Sequence, residues 1–316
     1  MTHRDHVRSF LRLRWAGCHS KLCRPRPGKS IRTVSIPRLL IGPEELAACM
    51  AGDDPPVIAD CRFVLGDAAA GEQAYARSHV PGAHYLHLDR DLSGPRGATG
   101  GRHPLPAPEF FGSTLARIGL RPGQLLVAYD DSRGAWAARL WWLARHFGHT
   151  DVCLLDGGWG RWTALGLRVT EDVPVTAAGV RELWPAGGST IDFDALSDER
   201  ARRALHLIDS RDPPRYAGTE EPIDPVGGHI PGALNLPWSS ACDQAGRFLD
   251  ADAQRERWRA TGDDPVVVYC GSGVTACVNL FSRALAGFSG DRLYPGSWSD
   301  WSARNGAPVA TGPEPG

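Results

Sequence analysis

Short apolar runs alternate along this chain with longer stretches whose apolar residues recur at helical spacing. "VIAD" at 57–60, "LLVAY" at 125–129, "CLLD" at 153–156 and "VVVY" at 266–269 are of the first kind. After Cys270, apolar residues fall at 277, 280, 281, 284 and 285. That stripe predicts an amphipathic helix, and Gly287 is placed to end it. Strands alternating with helices imply an α/β fold in which parallel strands are joined by crossover helices.

The pattern occurs twice. "VIADCRF" at 57–63 is similar to "LIDSRDP" at 207–213, and "SHVPGAHYLHLD" at 78–89 to "GHIPGALNLPWS" at 228–239. "LLVAYDDSRGAWAARLWW" at 125–142 matches "VVVYCGSGVTACVNLFSR" at 266–283, and "LLDGGWGRW" at 154–162 matches "LYPGSWSDW" at 293–301. Four blocks in the same order indicate a duplicated domain. The expected units are 34–165 and 191–310, joined by a Pro-, Gly- and Thr-bearing linker over 166–190. Each is expected to hold a parallel sheet flanked by helices.

Composition narrows the function. The formal net charge of −1 in 316 residues gives no global field for nucleic acid. No apolar run reaches the length of a membrane span. The eight cysteines form no CxxC pair and no zinc-ligand spacing, which fits reduced thiols in a reducing compartment such as the cytoplasm. Residues 1–33 are basic and carry one acid, Asp5. The preferred reading is a disordered tail or a start assigned too early; a mitochondrial transit peptide has the same composition.

In "VVVYCGSGVTACVNLFSRALAG" a strand stops at Cys270 and a helix starts almost at once. Such a turn aims loop N–H groups at one point, at the positive end of a helix dipole. With a cysteine at that point, the anion to be held is its own thiolate. Cys270 is therefore the candidate nucleophile. Gly271 and Gly273 let the loop curl. The first half has Asp130 at the corresponding place, so it reads as chemically silent.

"CGSGVTA", with "GHIPGA" and "DGGW"/"GSW", resembles the tandem rhodanese family, and within it the 3-mercaptopyruvate sulfurtransferases. The resemblance covers roughly residues 36–308 and includes "DRDLSGPRGATGGRHPLP" at 89–106. It implies a catalytic loop of Cys270, Gly271, Ser272, Gly273, Val274 and Thr275, with Ser272 positioning the donor or relaying a proton. It implies that Arg215, before Tyr216, binds the donor carboxylate. It also implies a persulfide on Cys270 and a sulfur acceptor such as cyanide or a thiol, thioredoxin included, with no metal or organic cofactor. His79, with Asp67 to orient it, is a candidate partner for the serine; His229 repeats it in the second half, which favours a bracing role instead. Cys277 is either a resolving thiol or a core residue, and its place on the apolar stripe favours the core.

One departure from the family pattern stands out. A second substrate arginine expected in a PEPR-like stretch is missing, and residues 221–224 read Glu-Pro-Ile-Asp. Thiosulfate sulfurtransferases share the scaffold but carry a basic CRKGVT-type loop. A Cys-based phosphatase needs arginine at 276, which is alanine here. A non-catalytic rhodanese module would not need Cys270 and its loop intact.

Overall fold

A computed structural model describes residues 38–176, 188–202 and 205–316. The expected tail at 1–33 and residues 177–187 of the expected linker lie outside the described residues. The first sheet comprises β1 (Leu40–Ile41), β2 (Val57–Asp60), β3 (Ala83–Tyr85), β4 (Leu126–Tyr129) and β5 (Val152–Leu155), in the order β1-β5-β4-β2-β3. The second comprises β6 (His206–Asp209), β7 (Ala233–Asn235), β8 (Val266–Tyr269) and β9 (Arg292–Leu293), in the order β7-β6-β8-β9. Every pairing within the two sheets is parallel. Thr190 bridges Leu293 in parallel, at the edge corresponding to that held by β1 in the first sheet. Strands β2, β4, β5 and β8 are buried throughout, which is why they read as unbroken apolar runs.

The two halves repeat down to single hydrogen bonds. Asp60 pairs in register with Tyr129, and Asp209 with Tyr269, so Asp130 and Cys270 stand at the same strand-to-loop position. The Tyr129 hydroxyl accepts from the Val80 N–H, and that of Tyr269 from the Ile230 N–H. Arg62 pairs with Asp60 and lies over Trp159; Arg211 pairs with Asp209 and lies over Trp298. These pairs brace the carboxyl ends of the strands, the edge at which open α/β sheets place their sites.

The described residues form one compact unit. Helix Ala137–His146 of the first half packs on helix Ala276–Leu285 of the second, with Trp141 edge-on to Phe281 at 4.9 Å. One apolar cluster runs through both halves. The helix after Cys270 is accordingly buried over more than the expected stripe. Its polar face is satisfied inside: Asn279 donates to Ser210 Oγ, Trp258 donates to Ser282 Oγ, and Arg283 pairs with Asp291. Gly287, at φ 84°, follows its end. Thr170 returns to pair with His79, so the first residues of the expected linker pack on the first half.

Because this core is shared, Phe281→Ala should cost about 3–5 kcal/mol and lower the stability of both halves together. Denaturant unfolding followed by tryptophan fluorescence and by circular dichroism should give one coincident transition. Two separated transitions would show that the halves fold independently.

Candidate active site

The loop after β8 turns at Cys270, whose side chain is buried and unoxidised. The Cys270 N–H donates to Ser297 Oγ at 3.2 Å, and its carbonyl accepts from the Trp298 N–H at 2.9 Å. Ser297 holds φ 55°, a strained value for a residue with a side chain, and its counterpart in the first half is Gly158 at φ 53°. Gly273 has φ 75°, and a Cβ there would meet Pro295 O at 2.4 Å, so only glycine fits. Val274 is buried in the shared core and Thr275 begins the following helix, so both shape the loop from behind.

The first half shows what this turn holds. Asp130 Oδ1 accepts from the N–H groups of Ser132 and Gly134, and Oδ2 from those of Trp136 and Ala137, at 2.8–2.9 Å. Burial pushes the Asp130 carboxyl up, and the four amides pull it the other way. The same turn is therefore an anion cradle in one half. In the other half the position of Asp130 is taken by Cys270.

Ser272 Oγ lies 2.8 Å from His103 Nδ1, and His103 Nε2 faces Asp89 Oδ1 at 3.1 Å. Serine, histidine and carboxylate thus form a chain that begins two residues after Cys270, with the last two from the first half. Burial lowers the His103 pKa to about 4, against the pull of Asp89 and with help from Arg139, Arg102 and Arg96. The ring is neutral at neutral pH. Asp89 favours the proton on Nε2, which leaves Nδ1 to accept from the Ser272 hydroxyl.

This corrects the expectation for His79 and Asp67. Both His79 ring nitrogens face backbone carbonyls, of Tyr75 at 2.8 Å and Asp172 at 3.1 Å, and the ring stacks on Tyr75. His229 does the same with Tyr216 and Pro315. Asp67 is exposed and turns back on the Ala69 N–H. Neither His79 nor Asp67 makes a hydrogen bond to the Cys270 loop. His103 falls in residues 90–106, which have no counterpart among the repeated blocks, and that lack of a repeat was its one signal; Asp89 closes a repeated block and carried none.

That stretch is strapped to the second half. Gly100 N–H donates to Asp300 Oδ1 at 2.8 Å and Arg102 N–H to Ser299 Oγ at 3.1 Å. A Cβ on Gly101 would stand 2.3 Å from Gly296 O. Beneath it Arg139, wholly buried, donates to Gly273 O at 3.0 Å and to His103 O at 3.1 Å. One guanidinium thereby joins the Cys270 loop to the segment that carries His103.

Arg215 lies beside the loop. It donates to Glu221 at 2.7 and 3.2 Å and to Asp224 at 3.2 Å. Arg211 pairs with Asp209 and Glu221. Burial pushes Asp224 up, against the pull of Arg102. Cys277 is fully buried with its thiol 3.5 Å from Gly273 O, and burial pushes its pKa up to about 12, which suits a core residue.

The sequence profile of the rhodanese-like domain matches twice, over residues 42–165 and 192–304. A Pseudomonas aeruginosa protein named "Probable 3-mercaptopyruvate sulfurtransferase" is 44% identical over 280 residues, covering 86% of this chain and 98% of its own. The chicken "Thiosulfate sulfurtransferase" is 30% identical, covering 73% and 81%. The solved 3-mercaptopyruvate sulfurtransferase of Leishmania major superposes with a TM-score of 0.73 at 30% identity, covering 84% and 74%.

The His103 ring should titrate near pH 4 in the folded protein, well below the ordinary 6.5. As pH falls, the unfolded chain takes the proton first. The stability His103 contributes is therefore fully present above 6.5 and lost between 6.5 and about 4. A nuclear magnetic resonance titration of the ring checks the value, and a midpoint near 6.5 would contradict it.

Proposed function

Because the chain belongs to the rhodanese-like family, we propose that Cys270 is the nucleophile of a sulfurtransferase that takes sulfur from 3-mercaptopyruvate and passes it to a thiol. The Cys270 thiolate attacks the donor's sulfur. An S–S bond forms, the C–S bond breaks, and its electron pair goes to carbon as the enolate of pyruvate. The donor's S–H proton ends on that carbon, so thiolate and mercaptopyruvate become persulfide anion and pyruvate. Ser272, with neutral His103 behind it, carries this proton, and Asp89 steadies the ring if it becomes charged in passing. The loop N–H groups hold the thiolate first and the persulfide afterwards.

Arg215 takes the donor carboxylate with a planar, two-pronged group. A second thiol then attacks the outer sulfur, leaving an acceptor persulfide and the Cys270 thiolate. A dithiol such as that of thioredoxin suits this step, because its second thiol can release the sulfur as hydrogen sulfide while closing a disulfide. The first domain, whose cradle is filled by Asp130, is silent in the reaction. The eight scattered cysteines, with no CxxC pair, suit a reducing compartment such as the cytoplasm.

The observation that carries the choice of donor is the Ser272–His103–Asp89 line. Thiosulfate gives up its outer sulfur and leaves as sulfite with no proton to move, so a proton relay does nothing for it. Mercaptopyruvate has a proton to lose from sulfur and a carbon to receive one.

Ser272→Ala should therefore lower kcat for 3-mercaptopyruvate by about a hundredfold or more, while thiosulfate turnover stays within about threefold. Steady-state kinetics with cyanide as acceptor decide. Equal losses with both donors, or none with either, would remove the basis for preferring mercaptopyruvate.

A further inference from the structure

The two helices that pack across the halves leave a cavity of about 330 Å³ beside their carboxyl-terminal turns, with Arg145 on one side and Ala284 on the other. We infer that this cavity is a second ligand site, one that takes a small organic carboxylate with an apolar body. The Cys270 loop and the Asp130 turn stand at the opposite, amino-terminal ends of these helices. Each helix has 10 residues and so runs about 15 Å, which sets the cavity apart from the reacting thiol.

Arg145 carries the inference. Its guanidinium has no hydrogen bond and no acid partner among the described residues, and its Nη1 is buried without an acceptor. The planar group lies over Trp141, 5.4 Å from the ring centre. Burial lowers its pKa, and no acid among the described residues offsets that. A charge withdrawn from water is ordinarily paired. The other arginines buried at this interface obey the rule: Arg139 is held by carbonyls and Arg283 by Asp291. A second donor stands in the same wall. Trp141 is only 4% exposed, and its Nε1 is likewise buried without an acceptor.

The remaining polar groups of the cavity are already engaged. Asp291 pairs with Arg283 and accepts from the Val266 N–H at 3.0 Å. His146 Nδ1 lies 2.8 Å from Ser189 Oγ, and burial holds the ring pKa down, so it adds no charge at neutral pH. One uncompensated positive charge is left. Around it the wall is apolar, from Trp142, Leu280, Ala284 and Phe288. A carboxylate matches the single charge and offers two acceptors to a fork-shaped donor. Phosphate or sulfate would bring a second charge that nothing here meets. The volume is at the small end of ligand cavities, roughly 300–1,000 Å³, which suits a body of one or two rings.

The test uses the full chain, with benzoate and indole-3-carboxylate as probes and benzamide and inorganic phosphate as controls. Both carboxylates should bind the wild type in calorimetry and raise its melting temperature, because the ligand rests on both helices. Benzamide and phosphate should bind at least about tenfold more weakly. Arg145→Met should weaken carboxylate binding about ten- to a hundredfold, and Arg145→Lys should restore part of it. Without ligand, Arg145→Met should keep the wild-type melting temperature, since the lost charge has no partner. Four results would each overturn the inference: neither carboxylate binds the wild type; binding is unchanged in Arg145→Met, which puts the probe elsewhere; phosphate or benzamide binds as tightly as benzoate; or ligand-free Arg145→Met is destabilised, which makes Arg145 a structural residue.

Discussion

The site depends on a guanidinium buried between the two halves. Among the described residues Arg139 has no carboxylate partner; it is held by carbonyls of the strap and of the Cys270 loop, Gly273 O and His103 O among them. A charge buried this deeply is tolerated only when its N–H groups are satisfied. That fixes the distance between two segments more than a hundred residues apart in sequence. Ser272 and His103 meet because their backbones are joined through the same side chain. The shared apolar core around Trp141 and Phe281 gives Arg139 its dry surroundings and stops the halves from sliding.

Duplication explains the division of labour. Both halves build the same turn at the carboxyl end of a central strand, and in the first half that turn holds an anion. Where the anion is Asp130, four amides saturate it and nothing is left to react. Where Asp130 stands in the first half, the second carries Cys270, the proposed nucleophile. The first half contributes its non-repeated strap, which crosses to the other domain with Arg102 and His103 side by side. Function here arises from what the two copies do not share.

Much of this was legible in sequence. The unbroken apolar runs named the central strands because those strands are covered on both faces, and the repeated blocks named the duplication. Cys270, Gly273 and Ser272 were marked by local chemistry within one turn. His103, Asp89, Arg139 and Arg102 were not, because their meaning comes from contacts across the domain interface that no local pattern encodes. His79 drew attention because it sits in a motif, yet that motif, repeated at His229, braces a loop against an aromatic ring. The helix after Cys270 showed its apolar stripe but hid the burial of its polar face, which depends on partners such as Ser210 and Asp291 far away in sequence.

The central claim is that sulfur passes through Cys270. The most direct measurement is mass spectrometry of the protein after 3-mercaptopyruvate treatment without an acceptor, followed by peptide mapping. The account predicts a gain of one sulfur atom on the peptide containing Cys270, lost on addition of a thiol acceptor and absent in Cys270→Ser. Sulfur found on another cysteine, or none bound while pyruvate is still released, would contradict it.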